Sequence, residues 1–387
     1  MSFYLSKPSM LCASGENNAS IMKALANGQS AISKYHNNMC ALINDAWLED
    51  ENFDNLPPQF ATRTNKILYK ALKNLDIQST IEKYGAENIA VIMGNTTAGV
   101  EENFQKLKNG DEFLKEQDQR NLFISVNSIS NPAIFVRELY SLKSLAYSVS
   151  TACTSGLKAI IEGMYLIKNG FCKAVICGGC DGINSLTIAG FSNLDILSDE
   201  RANPFSKNRK GTNLGEGACV FILSQDKMPE CVEILASGSN NDAFHITKPS
   251  QDCSLQKQLA SHVLKESKLK KIDYVNLHGT ATISNDTMEA TLMSAYFTNT
   301  PCSSTKASMG HTLGACGALE IGICAQLILD STNNKACALP VNIYDGECEF
   351  KDLNLVKKGD KAVVNSALSS SFAFGGDNAM MILGRAL

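Results

Sequence analysis

Cys153 is the residue whose neighbours in this sequence most favour nucleophilic chemistry. It lies in the run Ser150-Thr-Ala-Cys-Thr-Ser-Gly156, in which small side chains permit a tight turn and leave the sulfur approachable. Alternating apolar residues before this run predict a half-buried strand, and apolar residues at helical spacing after it predict a helix that ends at Gly170. A thiol at a helix N-terminus lies at the positive end of the helix dipole, which favours the thiolate. The sequence therefore predicts a nucleophilic cysteine at a strand-to-helix turn.

Two of the five histidines stand beside glycine after apolar segments. His278 begins the run His-Gly-Thr-Ala-Thr, and His311 follows the run Lys306-Ala-Ser-Met-Gly. Turns at strand ends are where the active sites of open α/β sheets gather. A nucleophilic cysteine needs a base or a charged partner, and imidazole serves either role near neutral pH. Both histidines are therefore candidate partners of Cys153.

The chain contains fourteen cysteines, and its N-terminus lacks the basic and apolar regions of a signal peptide. This combination predicts a reducing, cytoplasmic environment in which free thiols serve as small apolar residues. The pair Cys177-Gly-Gly-Cys180 ends an apolar run, and no second pair at zinc-finger spacing accompanies it. We therefore interpret this pair as structural and predict no metal site.

Charge and hydropathy argue against two other classes of function. The 387 residues carry a formal net charge of −4, so we expect no general nucleic-acid binding. We find no apolar run that looks long enough to span a bilayer, and we therefore expect no membrane partner.

Strand and helix patterns alternate through both halves of the chain, which predicts an α/β fold. The best internal boundary lies between residues 224 and 230. We therefore predict an N-terminal half, residues 1–227, with the nucleophile, and a C-terminal half, residues 228–387, with both histidines. Each half contains a strand, a turn of small residues and a helix rich in Ala and Gly, which hints at duplication.

Four separated motifs resemble the elongating β-ketoacyl-(acyl carrier protein) synthases of the thiolase superfamily, over nearly the whole chain. They are the nucleophile run ending at Gly156, His278-Gly-Thr-Ala-Thr282 with Asp286 and Glu289, Ser304-Thr-Lys-Ala-Ser-Met-Gly-His311 with Glu320, and Ser371-Phe-Ala-Phe-Gly-Gly-Asp-Asn378. The resemblance implies a thiolase-like fold, in which two similar βα halves form a layered αβαβα arrangement. It also implies an acyltransferase that performs decarboxylative Claisen condensation of malonyl-carrier with a Cys-bound acyl chain.

The resemblance assigns the reacting groups. Cys153 would take the acyl chain as a thioester, which splits the transfer into two easier steps. Backbone N–H groups of Cys153 and Phe374 would form the oxyanion hole for that transfer. His278 and His311 would donate hydrogen bonds to the malonyl thioester carbonyl and stabilise the enolate left when carbon dioxide departs.

The resemblance also assigns supporting groups. Lys306 would support the site electrostatically, Glu320 and Glu289 would be buried acids of the same network, and Phe374 would be an aromatic gate in the C-terminal half. No cofactor is implied, because the phosphopantetheine arm arrives on the carrier protein.

Three positions depart from the family pattern. Ala373 replaces the usual glycine between two aromatic residues, Asp377 replaces the threonine expected before Asn378, and Lys210 stands where an aspartate is common. The Asp377 carboxylate is expected near the mouth of the site. These differences leave the chemistry intact and extend the expected pathways from fatty-acid synthesis to polyketide or polyene synthesis.

The resemblance implies an acidic acyl carrier protein as a partner, and a homodimer in which the central sheets pair across the interface. A heterodimer with a related ketosynthase or a chain-length factor is the alternative. A local basic patch would speed the encounter with the carrier. The candidate docking residues are Arg63, Lys66 and Lys70 on one face of a predicted helix at about 61–75, and Lys207, Arg209 and Lys210 in a long loop.

Competing interpretations remain at this point. A thiolase would have a second cysteine in its terminal glycine turn, which here reads Phe-Ala-Phe-Gly-Gly. A priming synthase would use Cys, His and Asn. A chain-length-determining partner subunit would lack the nucleophile, and a cysteine hydrolase is a remote alternative.

Overall fold

The structure is a computed structural model that describes residues 1–50, 53, 55–108, 117–331 and 334–386. Its strands are β1 (Tyr4–Ser6), β2 (Ser9–Cys12), β3 (Ser33–Tyr35), β4 (Asn38–Ala41), β5 (Ile89–Gly94), β6 (Ala146–Val149), β7 (Ala174–Asp181), β8 (Leu214–Gly215), β9 (Gly217–Ser224), β10 (Cys231–Asn241), β11 (Tyr274–Asn276), β12 (Cys302–Ser303), β13 (Cys337–Ala338), β14 (Lys361–Ala362), β15 (Ser366–Ala373) and β16 (Asp377–Arg385).

The α-helices alternate with these strands along the described residues. They are α1 (Asn18–Ala26), α2 (Asp45–Leu48), α3 (Arg63–Leu72), α4 (Ile77–Tyr84), α5 (Val100–Lys108), α6 (Gln117–Asn127), α7 (Asn131–Leu139), α8 (Ser155–Lys168), α9 (Ser185–Asn193), α10 (Ser254–Ser267), α11 (Ile283–Tyr296), α12 (Lys306–Met309) and α13 (Cys316–Asp330).

Eleven of the described strands form one mixed sheet in the order β12-β11-β15-β16-β10-β1-β9-β7-β5-β6, with β2 beside β9. In one half, β7, β5 and β6 are parallel and β9 is antiparallel to β7. In the other half, β15, β11 and β12 are parallel and β16 is antiparallel to β15. Strand β1 pairs with both β9 and β10 and joins the halves. The prediction of an α/β fold with two similar halves is confirmed.

Two helices form the central layer. Helices α8 and α13 pack against each other and against strands of both halves, while α3 and α7 cover the outer face of the N-terminal half and α10 covers that of the C-terminal half. This gives the predicted αβαβα layering. The central helices approach closely because their contact residues are small: a Cβ added to Gly156 would lie 2.9 Å from Ala318 Cβ. The same close approach brings the residues preceding α8 near those preceding α13.

One segment differs from the expectation about membranes. Residues Leu313–Asp330 are long enough and apolar enough to cross a bilayer, with a mean hydropathy of 1.5. However, 89% of this segment is buried inside the protein, as expected of the core helix α13. Its apolar composition is explained by its position between the two halves of the sheet.

Candidate active site

Cys153 lies in the turn between β6 and α8, as predicted. The preceding residue, Ala152, has a φ of 52°, which places this backbone in the left-handed region. The Ser155 hydroxyl accepts a hydrogen bond from the Thr151 N–H at 2.9 Å and donates one to the Ala152 carbonyl at 2.6 Å. These local bonds hold the backbone in its strained conformation and present the thiol at the start of the helix.

Both predicted histidines lie beside the thiol. His311 Nε2 is 3.0 Å from Cys153 Sγ, and the two imidazole rings are perpendicular with centroids 5.5 Å apart. The sulfur and one ring nitrogen of each histidine lie within 4.8 Å of one another. All three side chains are buried. The fold thus brings Cys153 together with two histidines that are each more than a hundred positions away from it in the sequence.

The backbone around each histidine is fixed by separate contacts. Glu289 accepts hydrogen bonds from the N–H groups of His278 and Gly279, each at 2.7 Å. The His311 N–H donates to the Asn213 carbonyl at 2.7 Å. Glu289 therefore positions the turn after β11 through its backbone and makes no contact of its own with Cys153 in the described residues.

Lys306 is completely buried behind His278. Its ammonium donates to Glu320 Oε1 and to the His278 carbonyl at 2.5 Å each, and it lies 3.3 Å from His278 Nδ1. Because an ammonium can only donate, His278 Nδ1 accepts and the ring proton lies on Nε2. Glu320 raises the pKa of Lys306 against the opposing effect of burial, so the ammonium stays protonated. Lys306 thus fixes His278 as a hydrogen-bond donor towards the cavity.

Both imidazoles are neutral at rest. Burial lowers the pKa of His278 well below its usual range, and the Lys306 ammonium and His311 lower it further. Burial and Lys306 likewise lower the pKa of His311. Within the described residues, His311 Nδ1 has no hydrogen-bond partner. The protein thus fixes the tautomer of His278 but leaves that of His311 free to change during a reaction.

The thiol at rest differs from the expectation based on the helix dipole. Burial raises the pKa of Cys153 to about 12; the Lys306 ammonium opposes this shift and the Glu320 carboxylate adds to it. Hydrogen bonds from the backbone N–H groups of Cys153 and Phe374 to the sulfur also oppose it. The prediction of a favoured thiolate is therefore wrong, because burial removes the hydration that would stabilise a charged sulfur. Attack by Cys153 requires a base at the sulfur, and His311 Nε2 is in contact with it.

Phe374 forms the tip of the turn between β15 and β16. Gly375 and Gly376 follow it with φ angles of 81° and 75°, a conformation that disfavours residues with a Cβ. The Phe374 ring stacks on Phe191, with centroids 5.6 Å apart. The Gly375 N–H donates to the Ile246 carbonyl at 2.7 Å, so the loop after β10 contacts the same turn.

A cavity of about 130 Å³ opens onto the cluster. Apolar side chains of Phe191, Leu194 and Ile196 line one side, and Thr280 and Thr282 line another. Its wall also includes Cys153, both histidines, Phe374 and the exposed Lys248. A ligand with an apolar part and a polar part would fit this distribution.

The two predicted docking arginines are both paired with carboxylates of this chain. Arg63 forms an ion pair with the buried Glu216, with its Nε at 2.8 Å from Oε2, and a second pair with Asp45. The Arg209 side chain is 2% exposed and contacts Glu349 and Thr287. The docking role predicted for Arg209 is therefore wrong, because a buried arginine needs a carboxylate partner and cannot meet another protein. The docking role of the half-buried Arg63 stays a prediction.

The four predicted docking lysines differ in exposure. Lys66 is half-buried, 5.5 Å from the Phe53 ring centroid, and Lys70 donates to the Glu49 carbonyl at 2.7 Å. Lys207 and Lys210 are exposed, and each contacts an exposed glutamate, at 2.6 Å and 3.3 Å respectively. These two remain candidates for an electrostatic contact.

Sequence reasoning missed Phe191, Lys248 and the partners of Asp377. Phe191 and Lys248 lie in segments without a distinctive pattern, and only the fold brings them to the cavity. Asp377, expected near the mouth, stands between the lining residues Gly376 and Asn378 and contacts Lys158 at 3.0 Å on α8. The aspartate at position 377, where the family has threonine, marked this position as unusual in the sequence. It did not show that Lys158 is the side chain that Asp377 contacts.

The donor atoms of the site resemble two metal-ligand sets. Cys153, His278 and His311 form one, and His278, Cys316 and Glu320 form the other, each within 4.8 Å. The Lys306 ammonium contacts both His278 and Glu320, and this fixed positive charge disfavours a cation at either set. Cys177 and Cys180 pack into different apolar clusters on opposite faces of the sheet, so they cannot act as a pair.

Comparisons with known proteins agree with this geometry. The family model of the β-ketoacyl synthase N-terminal domain matches residues 9–228, and that of the β-ketoacyl synthase C-terminal domain matches residues 231–335. The 3-oxoacyl-[acyl-carrier-protein] synthase 2 of Rhizobium meliloti is 31% identical over 319 residues, which are 76% of this chain and 73% of that protein.

Two further proteins are similar to this chain. The ketoacyl synthase alpha subunit of the tetracenomycin polyketide synthase of Streptomyces glaucescens is 32% identical over 261 residues, 61% of this chain and 59% of that protein. A solved structure of the ketosynthase ApeO in complex with its chain length factor ApeC, from Xenorhabdus doucetiae, matches with a TM-score of 0.86 and 30% identity. That match covers 100% of this chain and 98% of that chain.

Proposed function

Because the chain belongs to the β-ketoacyl synthase family, we propose that it extends acyl chains by decarboxylative condensation with malonyl-carrier protein. One observation carries the proposal. A thiol and two neutral imidazoles converge on one cavity, and a buried lysine fixes the tautomer of one imidazole. This arrangement supplies a nucleophile, a base and a hydrogen-bond donor for an enolate.

The first step loads the acyl chain. Cys153 Sγ attacks the thioester carbonyl of the acyl-carrier, and His311 Nε2, 3.0 Å away, accepts the thiol proton. The N–H groups of Cys153 and Phe374, which both lower the pKa of the thiol, would donate to the oxyanion of the tetrahedral intermediate. The carrier thiolate then leaves and takes up the proton, and the acyl chain remains on Cys153.

The second step removes carbon dioxide from the malonyl unit. Its thioester carbonyl accepts a hydrogen bond from His278 Nε2–H, whose tautomer Lys306 fixes, and a second one from His311. The bond to the carboxylate breaks, carbon dioxide leaves, and its electron pair forms the enolate. A neutral donor suits this charge because it stabilises the enolate without protonating it.

The third step forms the carbon–carbon bond. The enolate carbon attacks the acyl carbonyl on Cys153, and the same two N–H groups stabilise the second oxyanion. The Cys153 sulfur leaves as a thiolate, and the product is a β-ketoacyl chain on the carrier. No cofactor of the protein takes part, because the phosphopantetheine arm enters with its carrier.

The partners follow from the same chemistry. An acidic carrier protein would dock beside Lys207, Lys210 and the exposed Lys248 at the cavity. Strand β6 ends the sheet order and is half-buried along its length, and Tyr165 and Phe171 of the adjacent region are 56% and 58% exposed. These features support assembly through β6 with a second ketosynthase-type subunit, either another copy or a related chain.

A chain-length-determining subunit is the second candidate, because ApeO is in complex with a chain length factor. The presence of Cys153 within reach of His311 favours the catalytic role. The relatives include 3-oxoacyl-[acyl-carrier-protein] synthases and a polyketide synthase subunit, which supports a role in fatty-acid or polyketide synthesis.

Two measurements test the proposal together. Incubation with acyl-carrier proteins should add an acyl mass to the peptide that contains Cys153, and malonyl-carrier should then yield one carbon dioxide for each new carbon–carbon bond. The Cys153→Ala variant should lose both signals, with turnover reduced by several orders of magnitude. Acyl transfer to water, or acyl label that persists in Cys153→Ala, would refute the proposed function.

A further inference from the structure

Asp377, which follows the gate turn, binds the helix that begins beside the nucleophile. Its carboxylate accepts hydrogen bonds from Lys158 Nζ at 3.0 and 3.2 Å and from the Thr154 hydroxyl. Thr154 directly follows Cys153, and Lys158 lies one helical turn further along α8. The Lys158 and Asp377 side chains are 25% and 15% exposed, so solvent screens their attraction less than that of a surface pair.

The contact of Asp377 with α8 matters because of where Asp377 lies in the β15–β16 hairpin. Asp377 pairs in register with Ala373 across β15 and β16, so these two residues form the base of the turn that carries Phe374. Phe374 follows Ala373 directly, and its backbone N–H lies near enough to Cys153 to lower the pKa of that thiol. The contact with α8 therefore holds the base of the turn, and the loop after β10 contacts its tip through the Gly375 N–H.

We propose that Lys158, Thr154 and Asp377 form a latch that positions the Phe374 N–H for the oxyanion of acyl transfer. The inference rests on the proposed function, because it assigns the latch to the acyl-loading step. Lys158 and Asp377 are positioning residues that act through the backbone of Phe374. An oxyanion-hole donor is effective only within about 3 Å of the oxygen, so a small shift of the turn weakens it.

The consequence differs between the two half-reactions. Acyl loading depends on the Phe374 N–H, whereas decarboxylation depends on His278 and His311, which the latch does not touch. Because condensation also uses the Phe374 N–H, carbon dioxide release is measured from malonyl-carrier without an acyl donor. Loss of the latch should therefore slow the loading of Cys153 and leave this carbon dioxide release unchanged. A merely structural role would lower both rates together.

The test uses two variants that keep side-chain shape and remove one charge each. Asp377→Asn retains hydrogen-bonding groups, and Lys158→Met retains the aliphatic stem. Each should lower the single-turnover rate of Cys153 acylation about tenfold, part of the 10²–10³-fold effect of losing a whole oxyanion donor. The KM for acyl-carrier should not change. The double variant should be no slower than the slower single variant, because both charges act through one contact.

The control is Lys83→Met, which removes an exposed ion pair with Asp226 at 2.9 Å and should load at the wild-type rate. A wild-type rate of Cys153 acylation in Lys158→Met would contradict the latch. If Asp377→Asn does not fold, Lys158→Met alone provides the test. Equal losses in loading and carbon dioxide release, or losses that multiply in the double variant, would also contradict the latch. If the wild-type protein is not acylated on Cys153, the proposed function fails and the latch fails with it.

Discussion

Replacing Lys306 with Met should reveal how a buried ion pair supports the chemistry. Met fills the volume of the lysine stem but removes the ammonium that contacts Glu320 Oε1 and the His278 carbonyl at 2.5 Å each. Lys306 and Glu320 are both 0% exposed, so the variant leaves Glu320 with an unpaired charge in the core. Breaking a buried pair in this way costs about 3–5 kcal/mol. We expect the free energy of unfolding at pH 8 to fall by that amount.

The loss should shrink in acid. A glutamate in an unfolded chain titrates near about pH 4.3, whereas burial raises the pKa of Glu320 to about 7 against the opposing effect of Lys306. Removal of the ammonium raises this pKa further. A carboxyl group whose pKa is raised by folding binds its proton more tightly in the folded state, so stability falls as pH rises from the unfolded towards the folded pKa. Lys306→Met should therefore regain stability between pH 8 and pH 5.

Urea unfolding at both pH values measures this effect, and carbon dioxide release from malonyl-carrier measures the chemistry. The double variant Lys306→Met/Glu320→Gln removes the stranded charge and should restore stability at pH 8. It should still release carbon dioxide slowly, because no ammonium fixes the tautomer of His278. Wild-type stability of Lys306→Met at pH 8 would refute the reasoning on burial. Normal carbon dioxide release by a stable double variant would refute the positioning role.

Two other predictions separate the histidines and locate the carrier. His278→Ala should load acyl chains on Cys153 but release carbon dioxide about 10²-fold more slowly, since only an enolate donor is lost. His311→Ala should slow both half-reactions, and a variant that loads normally would contradict its role as the base for the thiol. Charge reversal at Lys207 and Lys248 should raise the KM for acyl-carrier about tenfold at low salt, and the increase should be smaller at high salt. The KM for a small acyl-pantetheine substrate should not change. Lys358→Glu, beside a separate surface cavity, is the matched control, and an equal KM change there would refute the docking site.

Local pattern was sufficient to locate the nucleophile. The small residues around Cys153 and the apolar periodicities on either side depend only on neighbours in sequence, and they predicted the turn between β6 and α8 correctly. The helix around Arg63 and Lys66 was likewise predicted at about 61–75 and lies at Arg63–Leu72. The family resemblance predicted which histidines share the site, because its motifs keep their order along the chain.

The ionisation of the site could not be predicted in the same way. A helix N-terminus is visible in sequence and favours a thiolate, but desolvation depends on how many atoms surround the sulfur after folding. That burial raises the pKa of Cys153 and lowers those of both histidines. The ion pairs of the site could not be predicted from the sequence either. Arg63 and Arg209 resemble surface docking residues in the sequence, and only the fold brings Glu216 to the first and Glu349 to the second.

The sequence by itself therefore determined the chemical groups of this protein, the order of its motifs and the elements that carry them. The tertiary structure alone decided which charged side chains are paired and which side chains are shielded from water. Lys306 meets Glu320 across fourteen residues, and Lys158 meets Asp377 across 219. Pairing over such separations depends on the packing of α8, α13 and the β15–β16 hairpin, and no local pattern specifies it. Electrostatic energy depends on distance and hydration, and both are set only when the layers have packed.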